Sequence, residues 1–431
     1  MSSRTLSDPA VARHGWAQAL FTVLGGLIAM GLVAALGLWA AGAADLPDGS
    51  FPRVLAATVV TAVGGSVGLA GDAGDLAGAE GGLTVMPLSV TLTGALFIGW
   101  GFLRPLRHRA VTGAPELAGW AARIVALWLI ALLCLAFAAR HTFKISLGKG
   151  ALRDLSDLFG LSPEVGFAAD VPLTVLVGLL WLAGVLVLAL LVSRGAPLPG
   201  RLLRFQTAVR PAAHAMLQLL LAFVVIGLVI ALVVAATRGH PAETFAVILL
   251  GLPNVTWLAL TIGLGATWDG RVEGPFGLPM PHLLDEVLRT EDVSALNLST
   301  LAEHDGRVWW LLVADAVLLL AVAFVMAALS PARVRAWQHA VHLAVALALA
   351  VLTICLVGRI SVRLGLSVLG IGDLGTGLSG RILLKPRLPV ALGLALLWGL
   401  VAGFAGALLA RETHHRGHHR GRSDRLTGAA G

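Results

Sequence analysis

Ser193 to Pro211 reads SRGAPLPGRLLRFQTAVRP, a linker near the middle of the chain that carries Arg194, Arg201, Arg204 and Arg210. Short Arg-rich loops stay on the cytoplasmic face of a membrane, so this linker fixes a side. On each side of it the same plan runs: a long apolar run, an apolar run interrupted by Gly or Pro, an acidic loop, two runs joined by a basic turn, an outer loop, and a final run. The linker therefore predicts two repeats, 16–192 and 212–410, flanked by an amino-terminal segment 1–15 and a basic His-rich tail 411–431.

Composition sets the class. Of 431 residues, 57% are apolar and 13% charged, with a mean hydropathy of +0.87. A soluble chain of this length needs far more charge on its surface, so the expectation is an integral membrane protein. The formal charge of +7 orients such a chain and is poor evidence for nucleic acid, since no basic face interleaved with aromatics occurs. Cys134 and Cys355 each sit inside an apolar run with no CxxC or Cys/His spacing, which gives neither a disulfide nor a zinc motif.

Taken in order, Trp16 to Ala41 is long enough to span a core of ~30 Å and longer than a signal-peptide core. Val54 to Ala70 is apolar but carries Gly64-Gly65-Ser66 and runs into GDAGDLAGAEGG, Gly71 to Gly82. Leu83 to Leu103 follows and ends on RPLRHR, Arg104 to Arg109. If Val54 to Ala70 crossed, that Arg cluster and the central linker would both face outward, so a segment that dips in and returns is preferred. The second half offers Ala212 to Ala236, then Thr244 to Thr267 broken at Gly251-Leu252-Pro253-Asn254. An interior Pro costs ~3 kcal/mol unless neighbours satisfy the freed carbonyl, and such breaks face protein or water rather than lipid. The fold class expected is all-α and polytopic: two parallel repeats, each about four transmembrane helices plus one re-entrant or broken segment. Ten full spans is the alternative. In the eight-span arrangement both termini are cytoplasmic in a cell membrane, and the halves are related by an axis along the membrane normal.

Details reinforce the repeat. RHTFK, Arg140 to Lys144, and RISVR, Arg359 to Arg363, fall at matching outward ends, and GLLWLAGVLVLALLVSR matches GLALLWGLVAGFAGALLAR in the last spans. A period near 200 residues is too long for a solenoid and is typical of duplicated transporter halves.

Several strings, RPLRHR at 104–109, LLRFQTAVRPAAHAM at 202–216, ATRGHPAETFAVILLGLPN at 236–254, GLPMPHLLDEVL at 277–288 and LGIGDL at 369–374, together resemble the streptophobe family. These are very hydrophobic multi-span proteins of unassigned activity. The resemblance implies the membrane class and brings no catalytic residue.

Five features carry possible chemistry. Asn254 with Pro253 and Thr256, and a counterpart at Gly64, Gly65 and Ser66, would expose helix ends to a substrate at the midplane, or else form packed kinks. Asp315, the acid well inside a span, would relay a proton or pair with Arg140 or Arg359, or else reach outer water. Arg140/Lys144 and Arg359/Arg363 would hold an anionic substrate, or snorkel to lipid headgroups. The Gly-rich acidic stretch lacks the Lys-Ser/Thr of a P-loop and the Asp ladder of an EF-hand, and reads as a flexible outer connector. The tail HHRGHHRGR, His414 to Arg422, reads as a disordered basic tail against anionic lipid before a metal site.

No hydrolase motif and no cofactor motif appears. Two functional classes remain open. One is a transporter or permease-like protein with a midplane site at its broken helices. The other is a non-catalytic scaffold or regulatory subunit. Its outer acidic loop, Trp268 to Arg307, would recruit a membrane or extracellular protein partner through LLDEVLRTEDVSALNLSTLAEH. The lipid bilayer is the partner common to both.

Overall fold

The computed structural model describes residues 9–46, 49–72, 77–108, 114–144, 164–193, 200–237, 239, 241–273, 294–330, 335–368 and 380–427. Its first half contains α1 (Pro9–Ala40), α2 (Phe51–Ala62), β1 (Val67–Asp72), β2 (Ala77–Thr84), α3 (Leu88–His108), α4 (Ala114–Ala138), β3 (Arg140–Lys144), β4 (Glu164–Ala169) and α5 (Val171–Val192). The second contains α6 (Gly200–Thr237), α7 (Pro241–Gly263), β5 (Trp268–Glu273), β6 (Ser294–Leu296), α8 (Leu298–His304), α9 (Trp310–Ala328), α10 (Ala336–Val357), β7 (Ile360–Val368), β8 (Gly380–Pro386) and α11 (Leu388–Thr427). Apart from α8 and its adjoining 3-10 turn, the order of elements is the same in both.

Eight of the described helices are long and apolar enough to cross a membrane, so the chain is an integral, multi-pass membrane protein. Their outward surfaces are aliphatic and aromatic, with Ile28, Phe137, Leu180 and Val317 largely exposed, as lipid requires. Buried positions recur every three or four residues, as in Ala19, Val23, Met30 and Ala34 of α1. Each half packs its own apolar core. Small residues bring backbones close where the packing is tightest: Gly399 and Gly403 of α11 lie against Ala344 and Ala340 of α10, and Gly406 against Ala323 of α9.

Among the described residues one antiparallel sheet of eight strands is formed by the loops that follow α2, α4, α7 and α10, in the order β3-β4-β1-β2-β7-β8-β5-β6. The first four strands belong to the first half and the last four to the second, and they follow the same internal order. β2 and β7 seam the two quartets together, with Ala77 opposite Val368 and Thr84 opposite Ser361. Alternate residues of the second quartet, Trp268, Val272, Ile382 and Leu384, turn inward and are buried.

This sheet corrects several expectations. The Gly-rich stretch forms β1 and β2 rather than a flexible connector, and the loops at 140–170 and 358–386 supply β3, β4, β7 and β8. Residues 73–76, 145–163 and 369–379 lie outside the described residues, as does half of the acidic loop, 274–293. The tail is helical through Thr427, where disorder was expected.

The sheet also sorts the helices by which end meets it. β2 leads into α3 and α4 leads into β3, so this pair leaves the sheet and comes back. At 21 residues α3 is ~31 Å long, about the thickness of a bilayer core, although it is not among the eight helices apolar enough to cross. α7 is among those eight. Partway along it Leu250 lies against Gly37, close to the end of α1, and after its last turn the chain enters β5.

Candidate functional site

Two helices end inside the bundle, and their final turns are built alike. In α2, Gly65 N–H donates to the Val60 carbonyl and Gly64 N–H to the Thr61 carbonyl, both at 2.9 Å. In α7, Ala266 N–H donates to the Thr261 carbonyl at 2.9 Å and Gly265 N–H to the Ile262 carbonyl at 2.8 Å. Both are Schellman turns, which need a left-handed residue. Gly64 has φ 90° and Gly265 φ 96°. The exit is shared as well: Asp170 N–H donates to the Ser66 carbonyl and Arg387 N–H to the Thr267 carbonyl, so the last span of each half caps the return strand.

This superposes FPRVLAATVVTAVGGS, Phe51 to Ser66, on LPNVTWLALTIGLGAT, Leu252 to Thr267. Pro253 therefore matches Pro52, which sits in the first turn of α2, where a missing N–H costs nothing. The sequence reading had matched the Pro253 break with Gly64-Gly65-Ser66. The counterpart of those residues is Gly265-Ala266-Thr267, twelve positions further on. α7 differs from α2 by running on upstream of its proline.

That extension, together with Asn254 just past the proline, reaches into the first half. Asn254 Oδ1 accepts from the Leu88 N–H at 3.0 Å, an otherwise unmatched donor at the start of α3, while its Nδ2 donates to the Met86 carbonyl at 2.9 Å. Ser89 repairs the break next to the proline: its hydroxyl donates to the Ile248 carbonyl at 2.8 Å and accepts from the Leu252 N–H at 3.2 Å. A side chain inserted into the i to i−4 ladder opens and bends a helix at that point. Asn254 thus spends its amide on backbone as a clasp between the halves.

Further along, α7 descends. The Trp257 indole donates to the Leu220 carbonyl at 3.1 Å, and Thr256 fills the space above Gly227, both in α6. The Trp398 indole donates to the Leu264 carbonyl at 3.1 Å. Trp398 is ten residues into α11, so the end of α7 lies within ~15 Å of the sheet end of that helix, near mid-depth. α2 ends shallower, with Gly64 against Val177, ~9 Å along α5.

Asp315 stands at the end of α7. It is 0% exposed, and neither carboxylate oxygen has a hydrogen-bond partner. The carboxylate packs on the backbone of Gly263, where a methyl group would overlap it. It does not reach outer water. At the corresponding turn of α2 the neighbouring side chain is Thr91, whose hydroxyl donates to the Ala62 carbonyl at 2.6 Å. Thr174 of α5 adds a second polar group there, a fully buried hydroxyl without a partner, against Gly65.

The remaining candidates do not join these two places. Arg140 is exposed at the edge strand β3 with its guanidinium 5.2 Å from the Phe137 ring, and Arg359 is exposed just ahead of β7. Four strand spacings, about 19 Å, separate β3 from β7. Lys144 lies in register with Glu164 and Arg363 with Arg381. Asn254 stands nine residues, ~14 Å along α7, from the Gly263 on which Asp315 packs. Leu298 and Leu301, part of the expected docking helix, are buried in the second half's own core. Among the described residues no three His, Cys, Asp or Glu side chains gather as a metal site would need.

Comparison with family models, curated proteins and solved structures finds no match to this chain. Sequence reading missed Thr91, Thr174, Gly263 and Gly265. Superposing the two sixteen-residue strings on their prolines would have found the last two.

Proposed function

We propose that the protein is a transporter of the permease type, with a pathway between its halves at the ends of α2 and α7. The observation that carries this reading is the pair of like-built helix ends inside the bundle, each with a Schellman turn and an extended return to the sheet. In transporters, helices interrupted at equivalent places of two repeats present backbone and half-helix ends to substrate and coupling ion. The shared strand order and shared turns support a duplication into parallel repeats. Short-loop arginines, at Arg104, Arg107 and Arg335 with the central linker, support a cytoplasmic linker side and an outward sheet. The strings that resemble the streptophobe family support this placement and no particular substrate.

The test is a solute screen of proteoliposomes on a solid-supported membrane. Wild type gives a solute-dependent current absent from empty liposomes, and Gly263→Leu, inserted but filled at the end of α7, loses it. Correctly inserted wild type that yields no current with any solute class contradicts transport. The rival scaffold reading then gains, and deletion of residues 283–293 would abolish co-purification of its partner.

A further inference from the structure

The two helix ends share a backbone and differ in what closes them. At α2, Thr91 completes the turn by donating to the Ala62 carbonyl, and a hydroxyl keeps its proton throughout the physiological range. At α7 the residue in the place of Ala62 is Gly263. The Thr261, Ile262 and Leu264 carbonyls are taken by Ala266, Gly265 and the Trp398 indole. No donor reaches the Gly263 carbonyl among the described residues. Beside it, in the space a side chain on residue 263 would occupy, packs the enclosed, unpartnered carboxyl of Asp315. An ionised carboxylate only accepts hydrogen bonds, and the carboxyl end of a helix is the negative end of its dipole. Carboxylate and helix end share a dry place.

We propose that Asp315 and the Gly263 carbonyl form a proton-binding site. The bound proton sits on one carboxyl oxygen, and that O–H donates to Gly263 as Thr91 donates to Ala62. On release the proton passes to water, and the carboxylate draws away from the helix end. The turn of α7 then alternates between closed and open while the turn of α2 stays closed. Other charged groups on the elements packed against α9 stand elsewhere. Arg387 at the head of α11 is ion-paired to Asp269 at 2.8 Å, and Arg411 is at the far end of that span. Arg210 and His214 are near the linker end of α6, Glu243 is at the start of α7, and Arg307 is in the turn before α9. None makes a hydrogen bond or ion pair with Asp315.

The site stands on this geometry, and only its role as a coupling site rests on the transport reading. Dicyclohexylcarbodiimide, which adds to protonated carboxyls in apolar surroundings and rearranges to a stable N-acylurea, tests it on full-length protein in lipid nanodiscs, read by mass spectrometry. The expected result is modification at Asp315 that falls about tenfold per pH unit on the alkaline side of its midpoint. It is indifferent to sodium and absent in Asp315→Asn. No modification across pH ~5 to 9 in protein with native Trp fluorescence overturns the proposal. So does protection by sodium at fixed pH, which would assign the place to an alkali cation. Labelling without any current keeps the site and removes transport; current without labelling does the reverse.

Discussion

The helix of the first half that ends inside the bundle stops at its proline, whereas its counterpart in the second runs on through it. α2 begins at Phe51-Pro52, with Ser50 and Arg53 on His141 of β3, and stays within its own half. α7 begins eleven residues before Leu252 and uses the extra turns to grip α1 and α3. The carboxyl-terminal turn is built alike in both halves, while the amino-terminal side is, in one half, the connection to the other. The shared part is the part buried at depth; the differing part is the clasp.

Paired substitutions probe that difference. Gly263→Leu should have the largest effect, since it drives a side chain into Asp315 and α9; overpacking costs about 1–3 kcal/mol and here displaces a helix as well. Ala62→Gly, the reverse change at the matching position, should cost no more than about 1 kcal/mol. Thermal unfolding in detergent followed by Trp fluorescence compares them, and equal shifts would break the equivalence of the two turns.

Asn254→Ala should come next, because it leaves the Leu88 N–H and the Met86 carbonyl unmatched at about 1–3 kcal/mol for such a group. Arg53→Ala, at the matching place in α2, should be close to neutral. Limited proteolysis that finds α3 and α7 equally protected in both variants would remove the clasp.

The backbone equivalence is sharpened by Gly64→Ala and Gly265→Ala, each forced into a left-handed conformation at roughly 1–2 kcal/mol. Gly64→Ala should cost more, since its new methyl would meet Val177 at 2.5 Å where that of Gly265→Ala meets Leu394 at 3.3 Å. The smallest effect expected is that of Asp269→Asn. Its bidentate partner Arg387 is exposed, and melting should be unchanged within error.

Apolar runs and Arg clusters were enough to read the membrane class and most of the spans. Lipid-facing helices must be apolar along their whole length, and that pattern is local. The sheet was invisible for the opposite reason. β1 and β2, VGLAGD and AGAEGGLT, are built of Gly and Ala with little strand propensity, and they pair through backbone with β4 and β7, far off in the chain. Pro253 read as the break because proline is the loudest local signal, yet Ser89 repairs the ladder there and the helix continues to Gly263. Asn254 read as a ligand because an amide in an apolar run needs partners, and those partners are backbone groups 166 and 168 residues away. Asp315 was legible as an acid within a span. Its enclosure was not, because that depends on a glycine of another helix.

Single-cysteine labelling of intact cells with a membrane-impermeant maleimide, in a Cys134→Ala, Cys355→Ala background, tests the re-entrant pair most directly. Glu243→Cys at the start of α7, Lys385→Cys on the sheet and Arg335→Cys ahead of α10 are all exposed. The account predicts that Glu243→Cys and Lys385→Cys label from the same side and Arg335→Cys only after the membrane is opened. Labelling of Glu243→Cys from the side opposite to Lys385→Cys would make α7 a full crossing and contradict it.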